Sequence, residues 1–278
     1  MSTTVFLAIL GAALLHATWN ALIKIGGSKM NSMLIMTLVQ GAAGAAIASM
    51  RALPEGEVWL WLVGSGVLHS TYKLFLSYAY EQGDLSRVYP IARGSAPMMV
   101  MLVGALVLDD IIRTQDYFAI SLLGLGILLM ARGVFSNGES RRLLPLAFGS
   151  AIATASYSLV DGVGARLLGD AVTFVAWMFL FDAMVFTPVA LVLRGKSVLI
   201  SPPKAWGLGA LAAIASYASY AIAVWGMTQA PIALVTALRE TSILFAVLIG
   251  WLVFGERMDS TKALAALFIV GGVVLTRL

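Results

Sequence analysis

RGSAPMMVMLVGALV at residues 93–107 and RETSILFAVLIGWLV at residues 239–253 decide how this chain is read. Each opens on an arginine and runs on as an apolar stretch of membrane-spanning character. A shift of 146 residues superimposes them, placing Arg93 on Arg239 and Leu102, Gly104, Leu106 and Val107 on Leu248, Gly250, Leu252 and Val253. The same shift carries Ser70–Arg132 onto Ser216–Leu278, with Gly126 on Gly272 and Leu129 on Leu275. A guanidinium in hydrocarbon costs roughly 2.5–3.5 kcal/mol on insertion scales. Two at matched positions imply a polar cavity at a repeat interface, the place where secondary transporters bind substrate.

Composition agrees. The chain has 278 residues, 60% of them hydrophobic and only 12% charged, with a mean hydropathy of +0.93. Soluble domains carry about 25% charged residues, so the lipid bilayer is the expected surrounding. A spanning helix needs about 20 apolar residues. Ten are expected, near 4–23, 33–51, 57–81, 86–108, 115–132, 143–165, 171–194, 204–229, 231–254 and 261–277, separated by Gly, Pro or charge clusters. The first and sixth also match, at a shift of 138, with Gly11 on Gly149, Thr18 on Ser156 and Trp19 on Tyr157. Two units of five helices follow, residues 1–135 and 143–278. Five is odd, so the units cross the membrane in opposite senses. The expected fold is an all-α membrane protein of ten transmembrane helices, arranged as two five-helix inverted-topology repeats. An axis in the membrane plane would make Arg93 and Arg239 face each other at mid-depth.

Other classes are excluded or disfavoured. The formal charge of +4 is spread over short loops, as in ordinary membrane proteins, and does not indicate nucleic acid. The absence of cysteine removes disulfides and thiolate chemistry. With two histidines, no HExxH motif and no triad spacing, neither a metal, a cofactor nor an enzyme is expected. The run from Val5 to Ile23 reads as the first spanning helix rather than a cleaved signal. Eleven loop cations fall on one side and four on the other, which puts both termini outside by the positive-inside rule.

The stretch Val88-Tyr89-Pro90-Ile91-Ala92-Arg93-Gly94-Ser95-Ala96-Pro97, the stretch Leu238-Arg239-Glu240-Thr241-Ser242 and the turn Phe254-Gly255-Glu256-Arg257 before Ile269-Val270-Gly271-Gly272-Val273 resemble the EamA-like family of the drug/metabolite transporter superfamily. The first unit has Leu108-Asp109-Asp110-Ile111 where the second has the Gly-Glu-Arg turn. The resemblance implies a ten-helix secondary transporter in the cell (inner) membrane that moves small metabolites through a central cavity, often outward. It also implies cytoplasmic termini, against the loop charges. Related carriers of phosphorylated sugars hold their anions with cations on the spans equivalent to the fourth and ninth, where Arg93 and Arg239 stand.

The deep polar residues form helix faces. His69, Lys73, Leu76 and Tyr80 share one face of the third span, and His16, Asn20 and Lys24 share one on the first. On the sixth, Thr154, Ser158 and Gly162 align, with Tyr157 and Asp161 beside them and Asp161 placed toward a helix end. The eighth carries Ser216, Tyr217, Ser219 and Tyr220. Lys73, Arg93 and Arg239 against Asp182 and Glu240 leave a net +1, which favours a carboxylate or phosphate. The expected substrate site is Arg93, Arg239, Lys73, His16, Asn20, Tyr217 and Tyr220. Glu240 and Asp182 are the expected proton carriers, Glu240 first. Against this stands a purely structural reading, in which Arg93 pairs with Glu240 and Lys73 with Asp182. The two coexist if one arginine is paired and the other free. The sequence thus predicts a transporter, preferably an exporter, of amino acids, organic acids or phosphorylated compounds, acting as a monomer or homodimer. A multidrug-type exporter of cationic compounds is the alternative and would need free carboxylates.

Overall fold

Helix boundaries follow the breakers in the sequence. The computed structural model describes residues 1–25, 28–82, 93, 95–108, 110–131, 142–255 and 260–278, with backbone alone at 24, 80, 130, 131, 198, 254 and 262. The helices are α1 (Thr3–Ile25), α2 (Lys29–Ala48), α3 (Val58–Gln82), α4 (Ala96–Val107), α5 (Thr114–Ala131), α6 (Leu143–Leu168), α7 (Ala171–Arg194), α8 (Pro203–Gln229), α9 (Ile232–Arg239), α10 (Ser242–Phe254) and α11 (Ser260–Leu275), with a 3₁₀ turn at Lys196–Leu199. No strand occurs among the described residues. Pro90 and the rest of Val88–Ala92, with Glu256 and Arg257, lie outside the described residues, as do the side chains of Lys24 and Tyr80.

The α6–α7 junction illustrates the local logic. Gly169 takes φ 74°, ending α6 in the left-handed region that glycine adopts without a Cβ penalty. Asp170 then caps α7, its Oδ1 accepting from Val172 N at 2.9 Å and Thr173 N at 3.2 Å. Burial pushes this carboxyl up, but hydrogen bonds from Thr173 and Val172 and the nearby Arg51 guanidinium outweigh it, holding it below its ordinary value. A carboxyl depressed on folding stabilises the fold above its unfolded pKa of about 3.9 and loses that contribution as pH falls through the lower folded value. Asp170→Ala is expected to cost about 0.5–2 kcal/mol at neutral pH. Thermal melts of the detergent-purified protein should show the gap from wild type closing as pH drops below that range.

Outward faces are apolar. Leu102, Leu106, Val107, Leu211, Leu252, Val253 and Leu267 are all more than half exposed, whereas the charges of the helix interiors point inward. Among the described residues, six helical stretches are long and apolar enough to cross a membrane: Thr3–Ile23, Lys29–Ala48, Leu143–Leu168, Ala171–Arg194, Pro203–Gln229 and Ile232–Val253. Helices α4, α5 and α11 are apolar but shorter. Helix α3 has the length, at 25 residues, but carries the polar face with His69, Lys73 and its serines toward the interior.

Packing repeats itself between the two halves. Helix α3 lies along α6 as α1 lies along α8, and α3 touches α7 as α8 touches α2. The matched helices α5 and α11 pack directly on each other, as do α2 and α7. A Cβ on Gly126 would meet the Ala265 carbonyl oxygen at 2.9 Å, and one on Gly272 would meet that of Ala119 at 2.8 Å. These two contacts are images of each other under the 146-residue shift. They also make α5 and α11 antiparallel, since 126 meets 265 while 272 meets 119. Helices α2 and α7 are antiparallel as well: Gly41 faces Ala183 and Gly44 faces Ala176. Small residues let membrane helices approach this closely. A Cβ on Gly44 would stand 2.4 Å from the Ala176 carbonyl oxygen, so Gly44→Ala must part the two helices. Overpacking of this kind costs about 1–3 kcal/mol, and a matching fall in melting temperature is expected, with Gly64→Ala, whose Cβ meets nothing within 4 Å, as the neutral control.

The expected continuous ninth span is interrupted. Helix α9 stops at Arg239 and α10 starts at Ser242. Between them Glu240 N bonds Ala237 O at 3.1 Å and Thr241 N bonds Leu238 O at 3.0 Å, tighter i→i−3 bonds in place of i→i−4. The Thr241 hydroxyl donates to Leu238 O at 2.7 Å. Irregular backbone at membrane depth survives where protein covers it, and residues 232–243 are almost wholly buried. Helix α4 starts at Ala96, which the same shift places on Ser242. Both halves thus begin a helix three residues after their arginine.

Candidate functional site

Four helices converge on the middle of the bundle. Helix α1 brings His16 and Trp19. Helix α3 brings His69, Tyr72 and Lys73, α6 brings Tyr157 and Asp161 one turn apart, and α8 brings Ser216 and Tyr220. Arg93 and Arg239 enter from just before α4 and from the end of α9; both are fully buried.

The phenol of Tyr157 is the hub. Its hydroxyl accepts from Arg93 Nη1 at 3.2 Å and from Arg239 Nη2 at 3.1 Å, so the matched arginines meet on one oxygen. Beyond that they differ. Arg93 Nε lies 3.2 Å from Glu240 Oε2, and its Nη2 lies 3.0 Å from His16 Nε2. Trp19 Nε1 also reaches His16 Nδ1, at 3.2 Å. A neutral imidazole has one acceptor nitrogen, so His16 accepts from one of these donors at a time. Arg239 pairs with no carboxylate among the described residues. Its Nε and Nη1 are buried with no hydrogen-bond partner among the described residues, and its guanidinium lies 5.2 Å from the Tyr220 ring centre and 6.0 Å from that of Tyr157.

Two further polar clusters flank this hub. Lys73 pairs with Asp182 and donates to Thr37 Oγ1 at 2.8 Å and Gln40 Oε1 at 3.4 Å. The Ser70 hydroxyl donates to Asp182 Oδ1 at 3.0 Å. His69 Nε2 lies 2.8 Å from Asp161 Oδ2, the oxygen that also accepts from the Tyr220 hydroxyl. The His69 ring stacks on Tyr157 at 4.0 Å and 24°.

A cavity of about 30 Å³ lies between these groups, roughly the room of one water molecule. Lys73 and Arg239 line it with His16, His69, Gln40 and Ser216, and its walls are the rings of Trp19, Tyr72, Tyr157, Phe179 and Tyr220. No carboxylate is among the lining residues. Among the described residues no group of three His, Asp or Glu side chains stands where a metal ion could be held.

Several expectations meet this geometry directly. Arg93, Arg239, His16, Tyr220 and Lys73 converge, with Arg93 against Glu240, Lys73 against Asp182, and two Arg239 donors without a partner among the described residues. Both expected proton carriers, Glu240 and Asp182, are held by cations. Asn20 and Tyr217 do not join the site. Asn20 Nδ2 donates to His16 O at 2.8 Å, and Tyr217, about 100° around α8 from Ser216, packs on Phe179 with ring centres 4.8 Å apart. Asp161 stands on α6 nearer its C-terminal end, as expected, and is fully buried. That corrects the charge count, because Lys73, Arg93 and Arg239 are balanced by Asp161, Asp182 and Glu240. Sequence reasoning also passed over Tyr157, Tyr72, Trp19 and Gln40. The repeat offered a signal for two of them, since Trp19 and Tyr157 are matched positions and both line the cavity. On α6 the working face is Tyr157 and Asp161. Its neighbour stripe is packing, with Gly162 against Ile232.

Residues 3–132 and residues 142–278 each match the model of the EamA-like transporter family. No curated protein matches the chain. A solved crystal structure of another protein aligns with 99% of this chain and 97% of its own at a TM-score of 0.77 and 18% identity, a likeness of fold alone.

Proposed function

Because the chain belongs to the EamA-like transporter family, a family of membrane transporters, we propose that it carries small organic anions by alternating access around the central cavity. The cargo would be a carboxylate or phosphate attached to a flat or apolar body. One observation carries this reading: among the described residues the cavity is lined by Arg239, two of whose buried donors have no partner, and by no carboxylate. Buried donors left unpaired are costly, and a fork of N–H groups fits a carboxylate or phosphate in two bonds at once. The Tyr157 hydroxyl holds the place between the arginines that an oxygen of the cargo would share. The ring walls supply stacking surface.

The paired halves support the mechanism. Matched helices pack antiparallel, as an inverted ten-helix repeat requires, and in each half a helix begins three residues after the arginine. The present cavity admits no metabolite, so cargo enters only when the halves part. Ion pairs stand ready to alternate at the two ends. Arg166 holds Asp110 at 2.7 Å and the carbonyls of Met227 and Ala230 at one end, and Arg194 holds Glu81 at 2.6 Å at the other. A cationic cargo meets no carboxylate among the described residues of the cavity wall.

The test is flux into proteoliposomes across amino acids, organic acids, phosphorylated compounds and lipophilic cations. Saturable flux confined to anions is expected. Saturable flux of cations alone would overturn the reading in favour of a multidrug-type exporter.

A further inference from the structure

We propose that His69 and Asp161, closed off by Tyr220, form a proton-binding site that loads one proton with each monoanionic substrate, making the transport step electroneutral anion–proton symport. This rests on the anion reading of the same cavity, and the experiment below separates the two.

The geometry is that of a site built around one carboxylate. Asp161 is fully buried. Its Oδ2 accepts from Tyr220 and faces His69 Nε2 at 2.8 Å, while its Oδ1 has no hydrogen-bond partner among the described residues. A packing role would be expected to satisfy both oxygens, since a buried acceptor without a donor is costly. His69 and Tyr220 both line the cavity, so a proton reaching it meets the pair directly. Taken as a unit, the pair carries −1 when empty and no net charge when loaded.

Charge neutrality then couples proton to cargo. With the pair empty, the deep cations and carboxylates cancel. Loading a proton alone leaves an excess of +1 in a low-dielectric interior, and binding an anion alone leaves −1. Both together restore zero. Each ligand therefore favours the other, reciprocally. The two sites are also adjacent. His69 stacks on Tyr157, whose hydroxyl both arginines hold. Arg239 lies over Tyr220, whose hydroxyl holds Asp161. Binding an anion at Arg239 therefore places a negative charge one ring away from the pair.

Other groups around the pair are committed elsewhere. From α3, Lys73 is saturated by Asp182 of α7 with Thr37 and Gln40 of α2, and Tyr72 stands edge-on to Tyr157 with ring centres 5.6 Å apart. From α1, His16 lies against Arg93 and Trp19. Arg93, ahead of α4, lies against Glu240 in the α9–α10 turn. From α7, the ring facing His69 is Phe179, a side chain with no titratable group.

The chain has only two histidines, so ¹⁵N-imidazole spectra of nanodisc-embedded protein resolve His69, with His16→Gln assigning the signals. The probe is benzoate, a flat monocarboxylate. At a pH where His69 is neutral, benzoate should convert it to the imidazolium pattern, with about one proton taken up per benzoate bound and none in His69→Gln. Benzoate that binds without proton uptake, leaving His69 neutral, would overturn the proton site and spare the anion reading. Failure of benzoate to bind would count against the anion reading. The proton site is then judged without ligand: Arg239→Gln should by itself convert His69 to imidazolium at that pH, and an unchanged neutral signal overturns it. Should that variant not fold, Tyr220→Phe, which strips one donor from Asp161, is expected to give the same conversion.

Discussion

Arg239→Ala is expected to weaken binding of an anionic substrate by about 100-fold while leaving the protein folded. The size follows from what the guanidinium contributes. A charge-assisted hydrogen bond gives about 1.5–3 kcal/mol, and truncating one partner of a buried charge pair typically costs 2–5 kcal/mol. About 3 kcal/mol corresponds to roughly two orders of magnitude in Kd. The fold should tolerate the change because Arg239 holds no carboxylate. It leaves only the Tyr157 hydroxyl one donor short, and that oxygen keeps Arg93. Arg93→Ala is a different experiment despite the repeat symmetry. It strands Glu240 as a buried carboxylate beside Arg239 alone and removes the partner at His16, so folded yield should fall along with affinity. Binding isotherms on the two purified variants, set beside their melting temperatures, check both halves of the expectation. Wild-type affinity in Arg239→Ala would remove the arginine from the site.

That asymmetry marks the limit of what the repeat could tell. Sequence matching placed Arg93 and Arg239 at equivalent depths, and the structure joins them on one oxygen. The match carries no information on partners, however, because the residue after each arginine differs: glycine at 94, glutamate at 240. The all-helical, membrane-spanning character was legible because 20-residue apolar runs separated by Gly, Pro and charge are a strong signal. The break at Glu240–Thr241 was not legible. Its residues are compatible with a continuous helix, and only the i→i−3 bonding reveals the interruption. The burial of Asp161 was not legible either. Counting from helix ends measures distance along the axis, whereas its burial comes from α3 and α8 closing over it. Tyr217 and Tyr220 could not be told apart without knowing which side of α8 faces the cavity; three residues apart, they stand only about 60° from each other around the helix.

Lys73 was grouped with the arginines as a substrate contact, and its surroundings assign it another part. An ammonium has three N–H donors, and Lys73 has Asp182, Thr37 and Gln40 to receive them. A saturated cation has nothing to offer a cargo without breaking a bond to the helices it joins. Lys73→Met is therefore expected to destabilise the fold strongly, by about 3–5 kcal/mol, because it leaves Asp182 charged and buried with the Ser70 hydroxyl as its remaining side-chain donor. The double change Lys73→Met with Asp182→Leu removes both charges together, and replacement of a whole buried pair by apolar side chains is commonly neutral or stabilising. The double variant should recover most of the lost melting temperature and keep anion affinity within a few-fold of wild type. If stability returns but affinity falls as far as in Arg239→Ala, Lys73 contacts the cargo after all, and the wall of the cavity that α3 supplies must turn over when the halves part. If stability does not return, the pair serves to fix the register of α3 against α7, a specificity role that burial of apolar surface cannot replace.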